Sequence, residues 1–203
     1  KPDRPKYFEN KSFKKLKKCK VIFIISPNNS HYNYIKKLHN KNNYIFCEKP
    51  PVAKLDELKK IRKIYNGKIY FNFNFRFSKF SEILKNIKKY KLGKLLYANL
   101  ISSNGLALKK EYKKSWRSNF KQCPKGIFEI VAIHYVDLIN FFFKIKKLKG
   151  PYLLNNSAVG TSFDTAHTEL KLNNNVIVNI FTTYNSAYTK KLFFLFSNGI
   201  VEQ

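Results

Sequence analysis

The sequence predicts a partial doubly wound α/β domain at residues 1–77, followed by an α+β domain at residues 78–203. Strand and helix patterns alternate over the first part, which is typical of parallel strands joined by helices. This alternation stops after residue 77. Two segments of alternating apolar and polar residues later flank Asn173-Asn174-Asn175, which is typical of an antiparallel hairpin.

The first domain begins with a short basic helix or turn at residues 11–20. The apolar, β-branched run that follows suits a strand buried on both faces of a parallel sheet. Ser30 is placed to cap the next helix, which runs through Leu38. The predicted strands are Val21–Ser26, Tyr44–Cys47 and Lys68–Phe73, and a further helix begins at Asp56.

The second domain is predicted from apolar spacing and turn residues. Apolar residues at helical spacing predict one long buried helix over Ile127–Phe143. The other predicted elements are a helix from Ser78 to about Tyr90 and strands at Leu95–Ser102, Thr165–Leu172, Val176–Tyr184, Lys191–Phe196 and Ile200–Glu202. Because the last strand has only just turned back and Met is absent, including at position 1, we expect the chain to be truncated at both ends.

Composition limits the class of protein. The chain has 203 residues and a formal net charge of +28. A charge of this size is typical of proteins that bind nucleic acid. The lysines are dispersed along the sequence, however, and accompany abundant Asn, Ile, Phe and Tyr, as in the products of AT-rich genomes.

The three cysteines fit neither a disulfide framework nor a zinc site. Without a signal peptide or a long apolar run, we expect a cytoplasmic protein with no membrane partner.

Polar motifs follow two of the predicted strands, where open parallel sheets bind their ligands. The segments VIFIISPNNSHYNYI and YIFCEKPPVA resemble the paired strand-PNxxH and strand-CEKP motifs of the Gfo/Idh/MocA oxidoreductases. The resemblance continues through FNFRF, KLGK, SWR and HYVDL, and therefore covers almost the whole chain. It implies a partial Rossmann-type sheet and a second domain with an open, mainly antiparallel sheet and helices on one face.

The resemblance also implies two catalytic residues. Lys49, in the EKP motif, would polarise or protonate the reacting oxygen, although a solvated surface lysine is the alternative. His134 would act as general acid or base on the substrate hydroxyl, because the pKa of imidazole suits that work. A histidine packed in the core is the alternative for His134.

Further site residues are implied by the same motifs, and the expected cofactor is NAD or NADP. The cofactor contacts would be Pro27, Asn28, His31, Glu48, Lys49, Pro50, Asn74, Arg76, Trp116 and Arg117. The substrate contacts would be Lys49, Arg76, His134 and Asp137, with no metal ion. A residue on the helix surface is the alternative for His31, and a core anchor is the alternative for Trp116.

The sequence departs from the family's pattern in two places. No GxGxxG occurs, although that turn holds the cofactor's pyrophosphate. Ile130 and Ala132 replace an acidic residue and a glycine that commonly precede the histidine. Glu129 is adjacent, but one residue turns an α-helix by about 100°, which would direct Glu129 to another face.

The implied reaction is hydride transfer between NAD(P) and a secondary hydroxyl or ketone of a sugar, nucleotide sugar or inositol-like polyol. Two alternatives remain at this stage: a non-catalytic or truncated family member, and a basic nucleic-acid-binding protein whose lysines form one stripe. The oxidoreductase hypothesis predicts no nucleic-acid partner. It allows a homo-oligomer formed through the second-domain sheet.

Overall fold

The computed structural model describes residues 13–203, which form two compact units that divide between Asn72 and Phe73. Each unit has its own hydrophobic core. The division falls directly after the third strand, a few residues before the sequence-based boundary at 77. Part of the basic segment at residues 11–20 lies outside the described residues.

The first unit contains a three-stranded parallel sheet in the order β1-β2-β3. Its helices are α1 (Phe13–Leu16), α2 (His31–Leu38) and α3 (Leu55–Ile64), its strands are β1 (Val21–Ile24), β2 (Tyr44–Cys47) and β3 (Ile69–Phe71), and one 3-10 turn covers Asn28–Ser30. The expected parallel, Rossmann-type arrangement is thereby confirmed. Ser30 does precede α2, but its hydroxyl donates to Ser26 and to the Pro27 carbonyl instead of capping the helix.

One face of this sheet carries the core of the first unit. Ile22, Ile24 and Ile45 are buried together with Ile35 of α2 and Ile61 of α3. The large apolar side chains of the opposite face are exposed, and they are Val21, Phe23, Phe46 and Tyr70. The prediction that β1 is buried on both faces is therefore wrong within the described residues, because α2 and α3 both contribute to the same core.

The second unit is built on a six-stranded sheet in the order β5-β6-β7-β4-β8-β9. Its helices are α4 (Lys79–Lys85) and α5 (Ile133–Phe143), and its strands are β4 (Leu95–Ser103), β5 (Ile145–Leu154), β6 (Thr165–Leu172), β7 (Ile177–Thr183), β8 (Thr189–Phe196) and β9 (Gly199–Glu202). Short 3-10 helices cover Asn74–Phe77, Leu106–Leu108, Lys110–Lys114 and Trp116–Ser118. The predicted hairpin is confirmed as β6 and β7.

The sheet of the second unit is mainly antiparallel, as expected. Only the pairing of β4 with β7 is parallel among the strands that the structure describes. Tyr135, Leu138 and Ile139 of α5 share one core with the buried side chains of the sheet. Burial alternates along β6, so the other face of the sheet is partly exposed.

The predicted long helix at Ile127–Phe143 has two parts. A π-helix covers Phe128–Ala132, in which the Ile133 N–H donates to the Phe128 carbonyl, and α5 follows. Gly126 precedes this segment with a φ of +52°. A Cβ atom there would lie 1.8 Å from the Phe163 carbonyl oxygen, so only glycine fits.

Candidate active site

The carboxyl ends of β1 and β2 carry Pro27-Asn28 and Glu48-Lys49-Pro50. Because the strands are parallel, both segments lie at one edge of the first sheet. Asn28 is only 7% exposed, and its Nδ2 has no hydrogen-bond partner within residues 13–203. A buried amide donor without a partner is costly, so this position fits a bound polar ligand.

His31 links the two loops of this edge. Its side chain is fully buried, Nδ1 lies 2.8 Å from the Pro50 carbonyl oxygen, and Nε2 lies 2.9 Å from the Ser26 carbonyl oxygen. The ring therefore spans from the end of β1 to the EKP segment. This geometry excludes the helix-surface alternative and gives His31 a positioning role at the predicted cofactor edge.

Glu48 and Lys49 are held at the end of β2. The Glu48 N–H donates to the Ile24 carbonyl, and the Asn72 amide donates to Glu48 Oε1 at 2.7 Å. The Lys49–Pro50 peptide bond is cis. Burial, followed by the nearby Glu48 carboxylate, raises the pKa of the Cys47 thiol to about 12, so Cys47 is a packing residue.

Arg76 and Asp137 form a bidentate ion pair in the second unit. Arg76 Nε donates to Asp137 Oδ2 at 2.7 Å, and Nη2 donates to Oδ1. The guanidinium also lies over the rings of Phe73 and Phe141. The hydrogen bond to Asp137 raises the pKa of Arg76. Asp137, predicted to contact substrate, therefore uses both carboxylate oxygens to orient Arg76.

His134 lies on α5 in an aromatic setting. Its ring stacks on Phe75 with centroids 4.7 Å apart, and the edge of Phe73 is nearby. Lys190 Nζ lies 5.2 Å from the centroid of the Phe75 ring. The side chain of His134 is half-buried rather than enclosed in the core. The structure thus leaves the imidazole partly accessible, as a proton-transfer group requires.

Trp116 and Arg117 begin a 3-10 helix that Ser115 caps through its hydroxyl. The Arg117 guanidinium lies 4.6 Å from the centre of the Trp116 ring, and both side chains are half-buried. Trp116 does not belong to the hydrophobic core cluster, so the core-anchor alternative is not supported. Asn74, which the resemblance places at the cofactor together with Arg76, is exposed.

Glu129 lies in the π-helix that precedes α5. The π-type hydrogen bond joins the Ile133 N–H to the Phe128 carbonyl, and His134 belongs to the α-helix that follows. Glu129 Oε1 accepts the Lys125 N–H at 3.0 Å. The Cys123 thiol donates to the Gly126 carbonyl, and burial followed by the Glu129 carboxylate raises its pKa.

Comparison with protein families gives two matches. Residues 3–69 match the profile of an oxidoreductase family with an NAD-binding Rossmann fold, and residues 80–202 match the Gfo/Idh/MocA C-terminal domain. The chain belongs to the Gfo/Idh/MocA oxidoreductase family. A search of curated proteins found no match.

Solved structures share the fold of this Gfo/Idh/MocA chain at low sequence identity. A levoglucosan dehydrogenase in complex with NADH and levoglucosan is 18% identical, with a TM-score of 0.79 over 92% of this chain and 54% of its own. The myo-inositol 2-dehydrogenase from Lactobacillus plantarum is 20% identical, with a TM-score of 0.78 over 96% of this chain and 61% of its own. The chain thus spans little more than half of such structures.

The geometry adds three residues that the sequence analysis did not name. Asn72 holds Glu48, Phe75 stacks on His134, and Lys190 lies over the Phe75 ring. Phe75 lies in the FNFRF motif, but no motif marks Asn72 or Lys190, whose partners are far away in the sequence. Among residues 13–203, no group of three His, Cys, Asp or Glu side chains is placed to hold a metal ion. In the same range, no helix is long and apolar enough to cross a membrane.

Proposed function

We propose that this Gfo/Idh/MocA chain is part of an NAD(P)-dependent dehydrogenase that acts on a secondary hydroxyl of a sugar, nucleotide sugar or inositol-like polyol. The family's NAD-binding domain supports the cofactor class. Similar structures are named for levoglucosan and for inositols, which supports the substrate class.

One observation carries the cofactor assignment. His31 is buried and spans the carbonyl groups of Ser26 and Pro50, and it thereby fixes the segments that present Asn28 and Lys49. Both segments lie at the carboxyl edge of a parallel sheet, where doubly wound folds bind nucleotides. The buried, unbonded amide of Asn28 is a donor of the kind that a ribose or carboxamide group would engage.

The proposed chemistry separates a hydride from a proton. A bound nicotinamide would supply the acceptor for the hydride of the carbon that bears the hydroxyl group. Lys49 hydrogen-bonds the substrate oxygen, and His134 accepts the proton released from it. Arg76, oriented by Asp137, presents a fixed cation to an anionic or hydroxyl group of substrate or cofactor.

Cofactor binding tests the proposal in the protein extended by its upstream coding sequence. NADH and NADPH are titrated by calorimetry into the wild type, Lys49→Ala and the matched surface variant Lys63→Ala. We expect binding by the wild type and Lys63→Ala, with an affinity at least several-fold lower for Lys49→Ala. The proposal is refuted if the wild type binds neither nucleotide at millimolar concentration.

A non-catalytic family member is the second candidate, favoured by the absence of an acidic residue at Ile130. It predicts a folded protein that shows no turnover of any sugar or polyol, with or without nucleotide binding. The upstream sequence discriminates directly, because a catalytic protein requires a glycine-rich phosphate turn there.

The partly exposed face of the second-unit sheet supports the proposal of a homo-oligomer. Phe181 on β7 and Tyr152 on β5, which flank His167 of β6, are 37% and 58% exposed. A second copy covering this face would bury them. Analytical ultracentrifugation should show that Phe181→Glu dissociates the oligomer and that Lys85→Glu, on α4, does not. A wild type that is monomeric at micromolar concentration would contradict the proposal.

A further inference from the structure

The opposite edge of the first sheet, formed by the amino ends of its strands, concentrates positive charge. A hollow of about 760 Å³ opens there, and it is lined by Lys14, Lys17, Lys18, Cys19, Lys20, Asn40, Lys41 and Asn42. Five of these eight residues are lysines and none is acidic. Lys68 precedes β3 at the same edge, and its Nζ donates to the Lys41 carbonyl at 2.8 Å.

Within residues 13–47 the sequence holds nothing that neutralises this charge. Residues 13–47 contain eight lysines and no aspartate or glutamate, and Glu48 is the first acidic residue after residue 13. Glu48 lies at the carboxyl end of β2. A four-residue strand separates the two edges by about 13 Å, so this carboxylate is more than a Debye length away at 0.15 M salt. The ammonium groups around the hollow therefore repel one another with little compensation.

The walls of the hollow are tied together by hydrogen bonds. The Asn40 side chain donates to the Lys17 carbonyl at 2.5 Å, which joins the turn before β2 to the segment before β1. The Tyr44 N–H donates to the Lys20 carbonyl at 2.8 Å. Asn43 is buried and donates to the Leu38 carbonyl at the end of α2. The lysine backbones thus occupy fixed positions around the hollow.

We propose that this hollow binds a chain of phosphate groups. Lysine ammonium groups bind phosphate as point charges, and several of them held around one concave surface suit a ligand with several linked phosphates. The amide group of Asn42 adds a neutral donor to the lining. The site is separate from the proposed cofactor edge, since it lies at the other end of the same strands.

Cys19 provides a local reporter of binding. It lines the hollow and is exposed, whereas Cys47 and Cys123 are buried. Burial also raises the pKa of the Cys47 thiol to about 12. A maleimide should therefore modify Cys19 first, and a ligand in the hollow should slow that reaction.

The experiment measures Cys19 modification and binding affinity in the 203-residue protein at 0.1 M salt. The probes are inorganic tripolyphosphate and a single-stranded (dT)12 oligonucleotide. We expect protection of Cys19 at saturating probe, also in the presence of excess NADH. Protection of Cys19 by both probes would show that linked phosphates alone are sufficient for binding. Protection by the oligonucleotide alone would identify nucleic acid as the source of the phosphates.

Variants separate the hollow from the general positive charge. In the triple variant Lys17→Gln/Lys20→Gln/Lys41→Gln, we expect affinity for (dT)12 to fall about tenfold or more, and the salt slope to fall by about 2. The control Lys85→Gln/Lys88→Gln/Lys89→Gln removes the same charge from exposed positions of the second unit and should change affinity less than about threefold. Equal losses in the two variants, or an unprotected Cys19 at saturating probe, would overturn the proposal.

Discussion

At the scale of single residues, some predicted site residues use their polar atoms to position neighbouring residues. His31 and Asp137 do so, because their polar atoms contact Ser26, Pro50 and Arg76. Sequence motifs marked both without distinguishing these roles. The distinction depends on burial and on contacts between distant residues, which a single sequence does not contain.

Replacement of His31 by alanine should weaken both folding and cofactor binding. The change removes a buried ring whose two nitrogens lie within hydrogen-bond distance of carbonyl oxygens, and it leaves a cavity, so we expect a loss of roughly 2–4 kcal/mol in the free energy of unfolding. Urea denaturation measures it, with the exposed neighbour Asn33→Ala as control at under about 0.5 kcal/mol. Equal stability of the two variants would show that the contacts of His31 with the two loops contribute nothing to the free energy of unfolding.

Replacement of Glu129 by glutamine tests the carboxylate that precedes His134. We expect kcat/KM to fall about tenfold or more while the unfolding midpoint changes little, because the amide keeps the shape but loses the charge. Glu111→Gln, at an exposed position, is the matched control. If the two variants have the same kcat/KM, Glu129 is only a packing residue beside Cys123.

At the scale of elements, the backbone before His134 depends on Gly126. Gly126→Ala introduces a Cβ into the Phe163 carbonyl and strains a positive φ, whereas Gly67→Ala strains a positive φ of +82° with no atom within 4 Å. We expect the first variant to lose at least about 2 kcal/mol more stability than the second, measured by urea denaturation. Similar losses in the two variants would mean that the strain of a positive φ alone accounts for the lost stability, with no contribution from the contact with Phe163.

Helices and strands with a strong apolar periodicity were predictable from the sequence. Elements whose residues are typical of another structure were not. The β6–β7 hairpin was evident from its alternation around three asparagines. The long edge strand β5 was missed, because its lysines and the Gly150-Pro151 pair are typical of a loop. The π-helix was not foreseen either, since apolar spacing over Ile127–Phe143 suits an uninterrupted α-helix equally well.

At the scale of the whole molecule, the order of motifs sufficed to indicate the family, whereas the extent of each unit depended on the structure. Asn74 and Arg76 follow the third strand in the sequence and lie in the second unit, where Arg76 pairs with Asp137 on α5. The exposed apolar face of the first sheet was also unexpected, since apolar runs do not reveal which face the helices cover.

The most direct test is the formation of NADH or NADPH, followed at 340 nm, when the protein extended by its upstream sequence is offered NAD or NADP with a panel of sugars and inositols. We predict turnover of at least one member, reduced at least about a hundredfold in both Lys49→Ala and His134→Ala and retained in Lys63→Ala and His167→Ala. Turnover that survives in either active-site variant, or a folded wild type that reduces no nucleotide with any substrate, would contradict the account.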